Sequence, residues 1–183
     1  MTSPGIAMQT NQIEEVVLLD ETGIAVGVAD KATVHDRATP LHLAFSCHVF
    51  SPDGALLVTR RALGKRTWPG VWTNSFCGHP APGERIEEAV VRRAEQELGA
   101  RLGGLEVALP DFRYRAVDAS GIVENEICPV YTATLASRDA LSPRADEVMD
   151  YEWVDPAATL AAVRVTPWAF SPWLVLQLPR LLA

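Results

Sequence analysis

Apolar and polar residues alternate along several segments of the chain, and a period of two residues is typical of β-strands. The turn-forming residues at 20–23 and 51–54 each separate two of these segments, which predicts two antiparallel hairpins. Between Gly83 and Gly99 the apolar residues instead recur every three or four positions, which predicts a helix that ends at Gly99. The predicted strands are 16–19, 24–29, 42–50, 55–61, 112–117, 122–134 and 149–154.

Two further helices are predicted near the end of the chain. One begins with a proline and covers 155–163, and the apolar, aromatic segment 166–183 is expected to contain a helix that docks on the core. Because strands outnumber helices and most are joined as hairpins, we predict an α+β fold with a mixed β-sheet flanked by helices.

Length and composition favour one globular domain. The chain has 183 residues, of which 48% are hydrophobic and 21% are charged, so extended disorder is excluded. We interpret 1–12 as a flexible leader and 13–183 as a single domain. The formal net charge of −7 argues against nucleic acid as a partner. We find no apolar run of the ~20 residues that a membrane-spanning helix needs, and we expect a cytoplasmic monomer without a membrane partner.

Histidine and glutamate residues form a candidate metal site. Glu124 and Glu126 are two residues apart on a predicted strand, so their carboxylates project from the same face. With His35, His42 and His79 they provide three imidazoles and two carboxylates, which suits Mn²⁺, Zn²⁺ or Mg²⁺ in five- or six-fold coordination. The alternative is that the two glutamates form a solvated strand face.

The segment from Gly78 to Gly99 resembles the Nudix motif, G-x5-E-x7-R-E-U-x-E-E-x-G. Two positions depart from it, because Arg93 and Gln96 stand where the motif has metal-binding glutamates. We therefore expect weak diphosphate hydrolysis, since several phosphate charges must be neutralised during that reaction. The residues that fall in register are Gly78, Glu84, Arg92, Ala94, Glu97 and Gly99.

From about Val16 to Leu174 the chain also resembles the type 1 isopentenyl-diphosphate delta-isomerase family. The segments that carry this resemblance, besides FCGHP, are LHLAFS, LLVTRRAL, WPGVWTNS, PDFRYRA, SGIVENE and TPWAFSPW. It implies a Nudix-like fold with additional N-terminal strands and a C-terminal helix. It also implies a metal-dependent enzyme that interconverts isopentenyl and dimethylallyl diphosphate through a tertiary carbocation, in isoprenoid biosynthesis and without flavin.

The resemblance assigns a role to each of four candidate catalytic residues. Moving a double bond requires one group that adds a proton and another that removes one, and the family pattern gives these roles to Cys77 and Glu126. Trp173 matches the tryptophan that faces the cation. Tyr114 matches a tyrosine beside the catalytic glutamate.

The remaining candidates concern the diphosphate. The resemblance implies a second ion, expected to be Mg²⁺, at Glu97, the main-chain carbonyl of Cys77 and the substrate. Arg93 lies one helical turn before Glu97 on the same helix face. The cations offered for the diphosphate are Lys31, Arg61, Lys65 and Arg93.

Simpler structural interpretations stand beside these roles. Cys77 is alternatively a small buried apolar residue, and Trp173 alternatively anchors the last helix. Cys47, Cys128 and His48 are interpreted as core residues, and the other four tryptophans as packing residues. Two rival functions are a Nudix hydrolase and a catalytically silent module that only binds a diphosphate.

Overall fold

The computed structural model describes residues 14–183 and contains two β-sheets with helices packed around them. The predicted leader, 1–12, lies outside the described residues. The strands are β1 (Glu15–Leu19), β2 (Ala25–Asp30), β3 (His42–Leu43), β4 (Phe45–Phe50), β5 (Leu56–Arg61), β6 (Trp72–Thr73), β7 (Phe76–Gly78), β8 (Gly103–Leu109), β9 (Arg113–Val117), β10 (Val123–Ile127), β11 (Val130–Thr134) and β12 (Val148–Val154).

A five-stranded sheet in the order β2-β1-β3-β10-β9 contains the first predicted hairpin. Its turn is held by Asp20, whose carboxylate accepts hydrogen bonds from the main-chain nitrogens of Thr22 and Ile24 at 2.9 and 3.0 Å. Strands β3 and β10 run parallel and place His42 opposite Glu126. This sheet therefore brings together two of the predicted metal ligands.

The second sheet follows the order β12-β5-β4-β11-β8, with β6 paired to β5 and β7 paired to β4. Strands β4 and β11 are parallel, and the other pairs are antiparallel. Both sheets are thus mixed, and the predicted α+β class is confirmed, with the strands divided between two sheets.

Two segments predicted as single strands are each interrupted. Segment 42–50 breaks at Ala44 into β3 and β4, and 122–134 breaks after Ile127 into β10 and β11, so both cross from one sheet to the other. Pro129 has no N–H to continue a ladder, and its carbonyl accepts from the Ser46 nitrogen at 3.1 Å. The predicted second hairpin is confirmed, because β4 and β5 pair antiparallel with Phe50 opposite Leu56 beside the turn.

The predicted helices are confirmed, and a short one was missed. The predicted 83–99 helix is α2 (Ile86–Arg93), which continues as a π-helical turn (Ala94–Leu98) and ends at Gly99 with φ 58°. The missed helix, α1 (Lys31–Val34), precedes His35. The others are α3 (Pro156–Val165), a 3₁₀ turn (Pro167–Ala169) and α4 (Pro172–Leu181). None of the helices in residues 14–183 is long and apolar enough to cross a membrane.

Buried apolar residues form three clusters. One packs α2 against the second sheet, and another packs α3 and α4 against β5. The third surrounds Trp173 and includes Phe112, Tyr114 and Cys128. Trp168, expected to pack, is 81% exposed because it lies in the 3₁₀ turn on the surface.

Candidate active site

Both sheets contribute to the walls of a cavity of about 230 Å³. Tyr114 and Glu126 come from β9 and β10 of the first sheet, and Cys77 comes from β7 of the second. The lining residues are Lys31, Ala32, His35, Arg61, Lys65, Arg66, Thr67, Cys77, Gly78, His79, Arg93, Tyr114, Glu124, Glu126 and Trp173. Among the predicted site residues, His42 lies behind this wall, and Glu97 lies outside it.

Three histidines converge on Glu126. One potential ligand atom from each of His35, His42, His79 and Glu126 lies within 4.8 Å of all the others. The Glu126 Oε1 atom is 3.2 Å from His79 Nε2 and 3.5 Å from His42 Nε2. Segments far apart in sequence thus form a cluster of nitrogen and oxygen donors small enough to surround one ion.

The hydrogen bond made by one ring nitrogen of His42 leaves the other, Nε2, able to bind a metal ion. Its Nδ1 is 2.9 Å from the carbonyl oxygen of Pro40, which can only accept, so Nδ1 carries the hydrogen. Nε2 then has a free lone pair directed at the cluster. This buried Nε2 atom has no hydrogen-bond partner among the described residues.

Glu124 extends the cluster on the side of His35. The Glu124 Oε2 and His35 Nε2 atoms are 3.1 Å apart without the geometry of a hydrogen bond, and both lack another partner within residues 14–183. Glu124 Oε1 accepts a hydrogen bond from Thr67 Oγ1 at 2.7 Å. Sequence reasoning missed Thr67, since a single threonine in a loop gives no signal of such a contact.

The cluster perturbs the pKa values of its members. Burial opposes the ionisation of Glu126, but the neighbouring imidazoles of His42 and His79 outweigh it and hold the pKa of this carboxyl well below its usual range. Burial lowers the pKa of His79 to about 4 despite the nearby carboxylate. Burial also acts against protonation of His42, yet Glu126 prevails and raises its pKa. Glu126 is therefore a carboxylate at neutral pH.

Cys77 lies in the cavity wall next to two polar side chains. Its sulfur is 3.3 Å from Ser46 Oγ and 3.3 Å from Asn74 Oδ1. Burial raises the pKa of the Cys77 thiol to about 12, so the thiol keeps its proton at neutral pH. Cys47 and Cys128 are fully buried, as the sequence predicted for core residues.

Aromatic rings form the wall beside the thiol. The centroid of the Trp173 indole is 5.8 Å from that of Tyr114 and 5.5 Å from that of Trp68. The guanidinium carbon of Arg61 lies 5.3 Å from the centre of the Trp173 ring, so this indole already faces one cation. Burial raises the pKa of Tyr114 well above its ordinary value, which keeps its hydroxyl protonated.

The four predicted diphosphate cations all line the cavity, and Arg66 joins them. Burial lowers the pKa of Lys65 to about 8, so most molecules retain its charge at neutral pH. Lys65 forms an ion pair with Glu147, whose other carboxylate oxygen is 3.4 Å from Arg93 Nη2. Glu147 was not predicted from the sequence, because it lies in the loop before β12 and belongs to no motif.

Three residues of the motif, Glu84, Arg92 and Glu97, form ion pairs on or beside α2. Glu97 Oε2 accepts from Arg93 Nη2 at 2.6 Å, and this confirms that the two side chains share a helix face. Glu84 accepts from Arg92 at 2.7 Å, and Arg92 also donates to the carbonyl of His79. The motif thus fixes the loop that carries His79.

Comparison with known proteins agrees with this geometry. The model of the NUDIX domain family matches residues 40–174. The structure of DR0079 from Deinococcus radiodurans has a TM-score of 0.72 at 19% identity, covering 93% of this chain and 100% of that one. A MutT protein from Methanosarcina mazei has a TM-score of 0.60 at 19% identity, with 78% and 93% covered. The chain therefore belongs to the Nudix family.

Relatives with higher sequence identity show to which group within the Nudix family the chain belongs. An isopentenyl-diphosphate delta-isomerase from Leifsonia xyli is 68% identical, with 93% of this chain and 92% of the relative covered. The isomerase from Clavibacter michiganensis is 67% identical, with 92% and 86% covered. One from Klebsiella pneumoniae is 57% identical, with 90% and 88% covered. Within the Nudix family, the chain belongs to the isopentenyl-diphosphate delta-isomerases.

Proposed function

We propose that this protein interconverts isopentenyl diphosphate and dimethylallyl diphosphate by protonation and deprotonation. The observation that carries the proposal is that one cavity contains a protonated thiol, Cys77, and an ionised carboxylate, Glu126. An acid and a base in one cavity are what a double-bond shift requires. The names of the relatives support the same substrate.

The cations of the cavity bind the diphosphate in this proposal. Lys31, Arg61, Lys65 and Arg93 surround the space with positive charge, although the chain as a whole carries −7. Local placement of charge, rather than its total, decides whether a small anion binds. Anchoring the diphosphate here places the five-carbon group toward the thiol and the aromatic wall.

The aromatic wall has the properties needed to stabilise a carbocation. The Trp173 indole is 2% exposed, and its face already attracts the guanidinium of Arg61. A desolvated indole stabilises a cation by roughly 2 kcal/mol. Tyr114, which pairs with Glu126 across β9 and β10, is proposed to relay a proton to or from that carboxylate.

Divalent metal ions complete the proposed site. Three buried atoms without a hydrogen-bond partner in the described chain, His35 Nε2, His42 Nε2 and Glu124 Oε2, fit a metal ion. His35, His42, His79, Glu124 and Glu126 would hold Mn²⁺, Zn²⁺ or Mg²⁺, and Glu97 with the Cys77 carbonyl would hold Mg²⁺ with the diphosphate. When bound, these ions supply positive charge for orienting the carboxylates and the diphosphate.

The decisive experiment is incubation of purified protein with Mg²⁺ and isopentenyl diphosphate in D₂O, followed by NMR. We expect deuterium in both substrate and product, with no release of phosphate. Cys77→Ala and Glu126→Gln should each lower turnover by at least roughly 10²-fold, the contribution of one positioned acid or base. Cys47→Ala is the matched control, since Cys47 lies in the core and should leave turnover unchanged.

The results separate the proposal from its rivals. Phosphate release without isomer would establish a hydrolase instead. Tight binding of the diphosphate with neither reaction would establish a silent binding module. Arg93 and Gln96, which replace metal-binding glutamates of the motif, argue against the hydrolase.

A further inference from the structure

A series of buried hydrogen bonds runs from the C-terminal helix α4 to Cys77. Gln177 of α4 is fully buried, and its Nε2 donates to Ser46 Oγ at 2.9 Å. Ser46 Oγ is in turn 3.3 Å from the sulfur of Cys77 and 3.4 Å from that of Cys128. The other end of the Gln177 amide, Oε1, lies 3.0 Å from His48 Nε2.

The direction of each hydrogen bond follows from the chemistry of the groups. The Gln177 amide nitrogen can only donate and its oxygen can only accept, so His48 Nε2 carries a hydrogen. Ser46 accepts from Gln177, which leaves its own hydroxyl hydrogen for a thiol sulfur. The series therefore ends in a hydroxyl hydrogen pointed at Cys77 or Cys128.

Asn74 fixes the other side of the Cys77 thiol. Its Nδ2 hydrogens are taken by the carbonyl oxygens of Cys47 at 3.0 Å and Phe76 at 2.7 Å. The amide oxygen therefore faces Cys77 and Trp173, whose indole N–H donates to it at 2.8 Å. Because an amide oxygen only accepts, the Cys77 S–H donates to Asn74, and its sulfur remains free to accept from Ser46.

We propose that Gln177 is a positioning residue for the isomerisation, acting on Cys77 through Ser46. This inference rests on the proposed function, in which Cys77 donates a proton. In that step the S–H bond breaks, its electron pair stays on sulfur, and the π electrons of the alkene form the new C–H bond. The Ser46 hydroxyl then donates to an anionic sulfur. Because this hydrogen bond strengthens as charge develops, it lowers the barrier and leaves substrate binding unchanged.

The test reverses one hydrogen bond. Gln177→Glu places a nearly isosteric carboxylate at this position, which would accept a hydrogen bond from the Ser46 hydroxyl. The hydroxyl hydrogen of Ser46 would then turn away from Cys77. We expect kcat to fall by roughly tenfold or more, with KM changed by less than about twofold, the result for an interaction made in the transition state. Leu176→Glu adds the same charge one residue away at an exposed position and should behave as wild type.

Ser46→Ala keeps the test decisive if the buried carboxylate of Gln177→Glu prevents folding. It removes the hydroxyl itself, so kcat should fall by the same factor. Combining the two substitutions should lower kcat no further than either alone, because both interrupt one pathway. Wild-type kcat in folded Ser46→Ala, or two losses that multiply, would overturn the proposal.

An infrared measurement tests the hydrogen bonds without relying on activity. The S–H stretching band of Cys77 can be assigned by its loss in Cys77→Ala. Hydrogen bonds in series strengthen one another, so Ser46→Ala and Gln177→Glu should move this band to higher frequency by similar amounts. An unmoved band would contradict the proposal. If wild-type protein failed to isomerise the substrate, the proposed function would fail, while the band would still report on the hydrogen bonds.

Discussion

The four histidines of the chain occupy two different environments. His35, His42 and His79 gather around Glu126, where nitrogen lone pairs remain available. His48 lies in β4, fully buried, with its Nε2 bonded to Gln177. Its surroundings thus favour the neutral imidazole and give it a structural role, as the sequence predicted for a core histidine.

The burial of His48 makes a pH-dependent contribution to stability. Burial lowers its pKa to about 4, against ~6.5 for an unfolded chain, so between these values the unfolded state binds more protons. The free energy of unfolding should therefore fall as the pH drops, by about 2 kcal/mol from this group between pH 7.5 and pH 5. Urea denaturation at the two pH values measures the change.

The matched variant is His48→Asn, which removes the titrating group at this position. The variant should lose less stability than wild type over the same pH interval, by the amount assigned to His48. Equal losses in the two proteins would show that other groups account for the pH dependence. Comparison of the two proteins cancels the contribution of His79, whose pKa is also lowered.

Strand β7 lies close against helix α2 at Gly78. A Cβ atom there would lie 2.8 Å from Arg93 Cγ and 2.8 Å from Phe45 Cζ. Arg93 is proposed to bind the diphosphate, and the Phe45 ring is fully buried, so displacing either side chain costs free energy. The glycine thus allows the strand that carries Cys77 to lie directly against the helix that carries Arg93.

Gly78→Ala should therefore affect both elements. We expect a loss of about 1–3 kcal/mol in the free energy of unfolding, the usual cost of overpacking a core. KM should also rise, because displacement of Arg93 weakens diphosphate binding. Gly64→Ala provides the control, since a Cβ at Gly64 has open space around it. Chemical denaturation and steady-state kinetics measure both variants. Equal free energies of unfolding and equal KM values in Gly78→Ala and Gly64→Ala would refute this expectation.

At the scale of elements, the sequence predicted the longer helices and the antiparallel hairpins better than the division of the strands between two sheets. The 3–4 spacing and Gly99 defined α2, because both signals are local. The crossings at Ala44 and Cys128 were missed, since alternation continues through them and the sheet to which each half belongs depends on distant strands. Strand β8 was missed because it is largely exposed and begins with Gly103 and Gly104, and glycine is depleted in strands.

At the scale of the whole molecule, the family pattern predicted which residues meet in the cavity. The proposed catalytic and diphosphate-binding side chains all line it. The supporting side chains, Ser46, Asn74, Thr67 and Gln177, had no local signal. Their importance comes from contacts across long separations in sequence, such as that between Ser46 and Gln177.

The proposed metal ligands join both sheets, since His42 and Glu126 belong to the first sheet and His79 follows β7 of the second, so removing metal should affect stability as well as turnover. We expect chelation to abolish isomerisation and lower the melting temperature, and Mn²⁺, Zn²⁺ or Mg²⁺ to restore both. An ion present at 100 times its Kd stabilises the folded state by about 2.7 kcal/mol. Thermal denaturation with and without added metal measures this effect.

The control for this experiment is His42→Ala, which removes one proposed ligand from the cluster. Added metal should raise its melting temperature less than that of wild type. Full turnover in protein shown by elemental analysis to be free of metal would contradict the prediction. A return of turnover with only one of the three ions would identify the preferred metal.

The chain crosses between the sheets three times, between β3 and β4, between β8 and β9 and between β10 and β11, and this has a consequence for the order of folding. His42 and Glu126 lie on one side of these crossings, whereas Cys77 belongs to the opposite sheet. A folding intermediate with only one sheet formed would contain only some of the proposed metal ligands. It would also lack either Cys77 or Glu126, the proposed acid and base. Catalytic competence must therefore arise late, when the two sheets dock, and a metal ion that binds all the donors favours that last step over any partly folded state.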